Sequence, residues 1–175
     1  PPNPWASHHV HYLEAAPPAK LELFEEDCRE ALSHNMASDV PMRWTINPYR
    51  GCLHACAYCY ARPYHEYLGY GAGTDFDRKI VVKRNIAERL RQQFARPSWR
   101  GEAILFSGAT DPYQAIEVSY ALTRRCLEVC LEHRNPVAII TKSALILRDL
   151  ELLEAIARES DVRVFVSVPL AHEED

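Results

Sequence analysis

Cys52, Cys56 and Cys59 fall within a run of eight residues in the spacing C-x-x-x-C-x-x-C, and they are the strongest offer of chemistry in the chain. They follow a β-favouring run, Trp44-Thr45-Ile46, and an Arg50-Gly51 turn whose glycine lets the backbone bend tightly. Three thiolates on one short loop can converge on a single metal centre. A cubane iron–sulfur cluster usually takes four cysteines. Three leave one iron without a protein ligand, and a small molecule with an amine and a carboxylate can chelate it. Structural zinc is the alternative, with His54 or His65 completing a Cys3His set. A zinc knuckle, however, needs no α/β domain behind it with polar groups at its strand ends.

Those polar groups are Ser107-Gly108-Ala109-Thr110-Asp111, Thr141-Lys142-Ser143 and Ser167, each placed where an apolar run stops. In parallel α/β architectures ligands bind at the C-terminal ends of the strands. Lys142 is an ammonium at that rim, and a carboxylate is its natural partner. For Thr110 and Ser167, hydroxyl capping of a strand or helix end competes with ligand contact. The remaining cysteines carry less. Cys126 and Cys130, spaced i, i+4 beside Leu122 and Val129, read as small buried hydrophobes, and Cys28 as an incidental thiol. His8, His9 and His11 read as solvated surface.

The elements that must position these groups follow from the apolar pattern. Ile80-Val81-Val82, Ala103 to Phe106, Val137 to Ile140 and Val162 to Val166 predict strands, the last three buried on both faces. Between them come expected helices: about Ala57 to Leu68, one capped by Asn85 with Ile86, Leu90 and Phe94, one from Ser119 to His133, and one striped by Ile146, Leu150, Leu153 and Ala157. Val118, Leu122, Cys126 and Val129 mark the buried face of the third. Strands alternating with helices of this length predict βαβ units and a parallel sheet. Residues 1–43, with prolines at 1, 2, 4, 17, 18 and 41, read as an irregular N-terminal leader holding one helix between Leu21 and Leu32. Residues 44–175 carry the domain.

Composition bounds the class. The chain has 175 residues, is 47% hydrophobic and 25% charged, and carries a formal charge of −4, which fits one soluble globular domain or a large piece of one. No apolar run reaches the roughly 18–20 residues of a transmembrane helix, and no signal-peptide pattern is present, so a cytoplasmic protein with no membrane partner is expected. The acidic balance argues against coating nucleic acid by bulk charge. One local exception is the stretch from Arg78 to Arg100, with eight Lys and Arg against Glu88 alone. If one face gathers it, phosphate contact follows; otherwise it is a solvated helix face. The chain opens on Pro1-Pro2-Asn3-Pro4 and stops just after an expected strand, so it reads as a fragment.

The run Asn47-Pro48-Tyr49-Arg50-Gly51-Cys52-Leu53-His54-Ala55-Cys56-Ala57-Tyr58-Cys59-Tyr60-Ala61-Arg62 resembles the cluster loop of radical S-adenosylmethionine (SAM) enzymes. More narrowly, it is similar to the branch related to spore photoproduct lyase, the DNA-repair-photolyase-like proteins. His65-Glu66-Tyr67-Leu68-Gly69, Lys79 to Lys83 and Gly108 to Gln114 fit the same branch, so the likeness runs from about Pro41 to Ser167. The resemblance implies a partial parallel (β/α) barrel, truncated after about four strands. It implies that Cys52, Cys56 and Cys59 ligate a 4Fe–4S cluster and that SAM chelates the fourth iron. Tyr58 would pack beside the adenine. Ser107-Gly108-Ala109-Thr110 stands in place of the family's Gly-Gly-Glu, which this sequence lacks, so backbone carbonyls with Thr110 or Asp111 would hold the SAM amino group. Lys142 and Ser167 match a Lys and a Ser that touch SAM in the branch.

The chemistry so implied is reductive cleavage: one electron from the reduced cluster enters the sulfonium, methionine leaves, and a deoxyadenosyl radical abstracts hydrogen from a substrate. An electron donor such as flavodoxin or ferredoxin is the implied partner. The substrate is not implied, and nucleic acid stays open. The alternative of another class is a non-catalytic zinc- or iron–sulfur-binding module that recognises nucleic acid.

Overall fold

A computed structural model describes residues 20–35 and 41–168. The prolines and the three histidines before Lys20 therefore lie outside the described residues. Two sheets organise the rest. The larger has five strands, β2 (Leu32–His34), β3 (Trp44–Ile46), β6 (Ile104–Phe106), β7 (Val137–Thr141) and β8 (Val162–Val166), in that spatial order. From β3 onward all neighbours are parallel; β2 joins the edge antiparallel to β3. The register runs Thr45, Leu105, Ala138, Arg163 straight across the sheet. The smaller sheet has β5 (Lys79–Lys83) between β1 (Glu22–Glu26) and β4 (Tyr49–Arg50).

The βαβ expectation holds. Helices α2 (Ile86–Phe94), α4 (Leu122–Glu132) and α5 (Leu150–Glu159) connect successive strands of the large sheet, preceded by the short α1 (Thr74–Arg78) and α3 (Glu117–Tyr120). Ile46, Ile104, Phe106 and Ile139 bury one sheet face against Leu90, Leu122, Leu127 and Ile156. Cys126 and Cys130 are wholly buried in that layer, as small hydrophobes, and burial pushes both thiols up.

Several expectations are corrected. The stretch from Leu21 to Leu32 is not helical: it forms β1 and leads into β2. Its acidic residues meet cations across strands, Glu26 with Arg50 at 3.7 Å and Glu25 with Arg84 at 3.6 Å, and not a helix dipole. Residues 57–68 pass through turns into a 3-10 segment, Arg62–Leu68, closed by Gly69 in the left-handed region (φ 77°). The expected 119–133 helix breaks at Ala121 (φ 49°), so Val118 is exposed while the charged Glu117 is buried. Residues 144–149 are 3-10, and the buried stripe continues through Leu153 and Ile156 while Leu150 and Ala157 are exposed. Asn85 precedes α2 but makes no capping hydrogen bond with its side chain. β8, expected to be buried, is largely exposed, since it ends the strand order and pairs only with β7.

The basic stretch does not gather on one face. Lys83 turns inward, Arg91 forms a bidentate pair with Glu132 at 2.8 and 2.9 Å, and Arg96 meets Glu30 at 3.0 Å. No helix among the described residues is long and apolar enough to cross a membrane.

Candidate metal and ligand site

The cysteine loop leaves β4 through Gly51, whose φ is +78°. A Cβ there would stand 2.7 Å from the Phe76 carbonyl oxygen and 2.9 Å from Ile80 Cδ1, so no other residue fits without displacement. Cys52 N–H donates to that same Phe76 carbonyl at 2.9 Å. The loop then turns twice, Ala55 N–H donating to Cys52 O and Cys59 N–H to Cys56 O, both at 3.2 Å.

Two buried side chains fix this path. Arg62 donates to the carbonyls of Cys56 (3.0 Å), Ala55 (3.0 Å) and Gly73 (2.8 Å), and pairs with Asp77 at 3.0 Å. Its guanidinium also lies over the Phe76 ring, 5.2 Å from the centroid. Gln114, wholly buried, accepts from Leu53 N–H at 2.9 Å and donates to Gly51 O at 3.1 Å, bracketing Cys52 on both sides. Arg62 and Gln114 lie inside sequence motifs without being marked there as functional residues. Their partners are main-chain groups, which leave no mark in side-chain spacing.

The loop therefore hangs from its backbone, and all six cysteines are free. Cys52, Cys56 and Cys59 line one cavity of about 310 Å³, and so do Tyr58, Thr110, Lys142 and Ser167. Cys52 is buried, which pushes its thiol up to about 11 against the pull of backbone N–H groups from Asp111 and His54. Such N–H groups favour the thiolate that a metal requires. Among the described residues no three Cys, His, Asp or Glu side chains are drawn into a closed ligand set. The donor types suit a soft metal centre: three cysteines line one cavity, with the loop held by groups other than its sulfurs. Of the two histidines considered for a Cys3His set, His54 lines this cavity and stands 3.2 Å from Asp111, whereas His65 lines a second cavity.

In the same lining, Lys142 Nζ donates to Ser167 Oγ at 2.7 Å and lies 5.6 Å from the centre of the Tyr58 ring, which is exposed. Thr110 is buried, and its hydroxyl is committed to the Tyr49 carbonyl at 3.2 Å. Asp111, considered for a ligand contact, instead ties strand ends together. It accepts from Thr141 Oγ1 and Lys142 N–H, both at 2.7 Å, and from Tyr113 N–H at 2.9 Å. Burial opposes its charge, but His54 and these three donors outweigh burial and hold the carboxyl below its ordinary range. Also in the lining, Ser107 (φ 138°) and Gly108 (φ 114°) swing the backbone away from β6, with Asn47 accepting from Ala109 N–H at 3.1 Å and the Tyr60 hydroxyl donating to Gly108 O.

Comparison with known proteins agrees with this arrangement at the level of the family. The sequence profile of the Radical SAM superfamily matches residues 46–174. An uncharacterized protein of Mycobacterium tuberculosis is 45% identical over 148 residues, covering 84% of this chain and 44% of its own length. An uncharacterized protein of Methanocaldococcus jannaschii is 34% identical over 112 residues, 64% of this chain and 40% of its own. One from Acidianus two-tailed virus is 30% identical over 115 residues, 63% and 37%. The chain thus spans less than half the length of these curated relatives. No solved structure matches it significantly. The matched region begins at the end of β3 and takes in the cysteine loop and every strand end around the cavity, and by that match the chain belongs to the Radical SAM superfamily.

Proposed function

We propose that this chain is the cofactor-binding part of a radical SAM enzyme, in which Cys52, Cys56 and Cys59 hold a 4Fe–4S cluster and the cavity beside them takes SAM. The observation that carries the reading is the shared cavity, lined by all three cysteines together with Tyr58, Lys142 and Ser167. The chemistry that such a cluster supplies when bound is delivery of one electron to the sulfonium of a chelating SAM. The chain's own residues bind and orient. The Lys142 ammonium, steadied by Ser167, meets the SAM carboxylate. The Tyr58 ring offers a face to the adenine. With the Thr110 hydroxyl committed to Tyr49, the SAM amino group falls to backbone carbonyls of the Ser107–Ala109 turn. Leu105 and Ile140 supply apolar wall that keeps water out.

In this reading the five-stranded sheet is the first part of a (β/α) barrel of the radical SAM type, and the flanks of the cysteine motif favour the spore photoproduct lyase branch. A flavodoxin- or ferredoxin-like donor supplies the electron, the substrate is left open with nucleic acid among the candidates, and six free cysteines suit a reducing cytoplasm.

The test is anaerobic reconstitution with iron and sulfide. Wild type should load iron and turn brown, and SAM should change the electron paramagnetic resonance signal of the reduced protein. Cys52→Ala, Cys56→Ala or Cys59→Ala should each abolish iron loading, while Cys126→Ala and Cys130→Ala should not. Lys142→Ala should keep its iron and lose about tenfold to a hundredfold in SAM affinity, the worth of one charge-assisted hydrogen bond. Zinc without iron in the reconstituted protein would overturn the enzyme reading in favour of a binding module.

A further inference from the structure

A second cavity, about 380 Å³, shares the wall formed by Ala61 and Gly108–Thr110 with the cysteine-lined cavity and lies on its far side. Among the described residues its lining holds no aspartate or glutamate, yet it holds two basic side chains, Lys83 and Arg50, and the imidazoles of His34 and His65. Lys83 is only 9% exposed. Its ammonium donates to the Asn47 carbonyl at 2.9 Å, and among the described residues no carboxylate lies within ion-pair distance of it. His65 is 2% exposed, and its Nε2 has no hydrogen-bond partner among the described residues. Arg50 is half-exposed and only loosely held by Glu26, at 3.7 Å. At the margin, Tyr64 and Tyr67 stack with ring centres 6.5 Å apart and expose their outer faces.

A buried ammonium with one neutral acceptor and a buried imidazole nitrogen with none are both costly in isolation. An oxyanion in the cavity offers the ammonium a countercharge, and Arg50, on the same lining, adds a planar fork suited to phosphate or carboxylate. We propose that this second cavity is an oxyanion site, taking a phosphate or carboxylate group of a ligand whose body crosses the Gly108–Thr110 ridge into the cysteine-lined cavity. Identifying that ligand as the substrate rests on the radical SAM reading; the anion site does not. Its size, and its separation from the Lys142 wall, make it a site additional to the one for SAM.

The metal-free chain is titrated with inorganic phosphate and, separately, with acetate, at an ionic strength held constant with chloride, while backbone amide resonances are followed by NMR. Saturable shifts are expected at the amides of residues 82–84 and 108–110. Saturation by phosphate alone assigns a phosphoryl group, by acetate alone a carboxylate, and by both the shared chemistry. Lys83→Met and the half-exposed Arg50→Gln, which carries little folding risk, should each weaken binding about tenfold. No saturable shift with either anion, or affinity unchanged in both variants, overturns the site. The radical reading fails separately: a chain that binds the oxyanion but loads no iron loses that reading alone, and one that loads iron and binds SAM without an oxyanion site loses only this inference.

Discussion

At the scale of single residues, the molecule's chemistry depends on groups that do no chemistry. Arg62 is the clearest case. Its five hydrogen bonds reach two stretches of backbone, Ala55–Cys56 and Ala72–Gly73, and one carboxylate, so the loop carrying Cys56 is fastened to α1 and the turn before it. Arg62→Met leaves four carbonyls and the Asp77 carboxylate without their buried partner and should cost about 3–5 kcal/mol. Arg62→Lys keeps the charge but not the fork, and should recover only part of that. Urea midpoints of the metal-free chain measure both, and iron stoichiometry after reconstitution should fall in parallel. Equal, small losses for the two variants would mean that the fork is not what holds the loop. Gln114→Ala makes the same point one residue from Cys52: it orphans Leu53 N–H and Gly51 O, each worth about 1–3 kcal/mol when buried.

At the scale of elements, the connection between β1 and β2 is hooked to α2 by two amides. Asn85 accepts from Cys28 N–H at 2.8 Å and donates to Cys28 O at 3.1 Å; Gln93 accepts from Ala31 N–H at 2.8 Å and Leu32 N–H at 3.0 Å. Asn85→Ala should therefore raise hydrogen exchange at Cys28 about tenfold to a hundredfold and leave α2 intact. Fraying of α2 instead would restore Asn85 to the capping role that the sequence suggested. This contrast marks how far the sequence can be read. β6 and β7 were legible because each is a local apolar run, and α2 and α4 because their buried residues recur at helical spacing. β1 was not, because what makes Glu22–Glu26 a strand is pairing with Lys79–Lys83, far along the chain. Within the candidate site the cysteines stand out by type and spacing and Lys142 and Ser167 by their place at strand ends, whereas Tyr58 is singled out only by the family resemblance; what the structure adds is that all of them line one cavity. The commitments of Thr110 and Asp111 to other strand ends were not legible, since both depend on which strands lie adjacent.

At the scale of the whole molecule, two buried carboxylates join the helical layer to the strand that launches the cysteine loop. Glu117 accepts from the Tyr49 hydroxyl, from Thr123 N–H at 3.1 Å and from Arg148 at 2.8 Å. Asp149 accepts from Arg124 at 2.7 Å and from Arg148 at 2.8 and 3.0 Å. Because Arg148 serves both, α3, α5 and β4 are coupled through one guanidinium. Burial alone would raise Asp149, but the two arginines outweigh it and hold the carboxyl below its ordinary value of 3.8. A carboxylate with a depressed folded pKa contributes stability that is complete above the unfolded value and is lost as pH falls through the folded one. Acid should therefore weaken the chain below about pH 3.8, and Asp149→Asn should remove part of that slope. At pH 7 the variant should be less stable by about 2–3 kcal/mol, a modest figure because both arginines keep some access to water. Urea midpoints of the two proteins at pH 7 and pH 3 measure the gap, which should narrow in acid. A gap of constant size would assign the Asp149 effect to its shape and not to its charge, and acid sensitivity would then belong to Asp111, whose carboxyl is also held below its ordinary range.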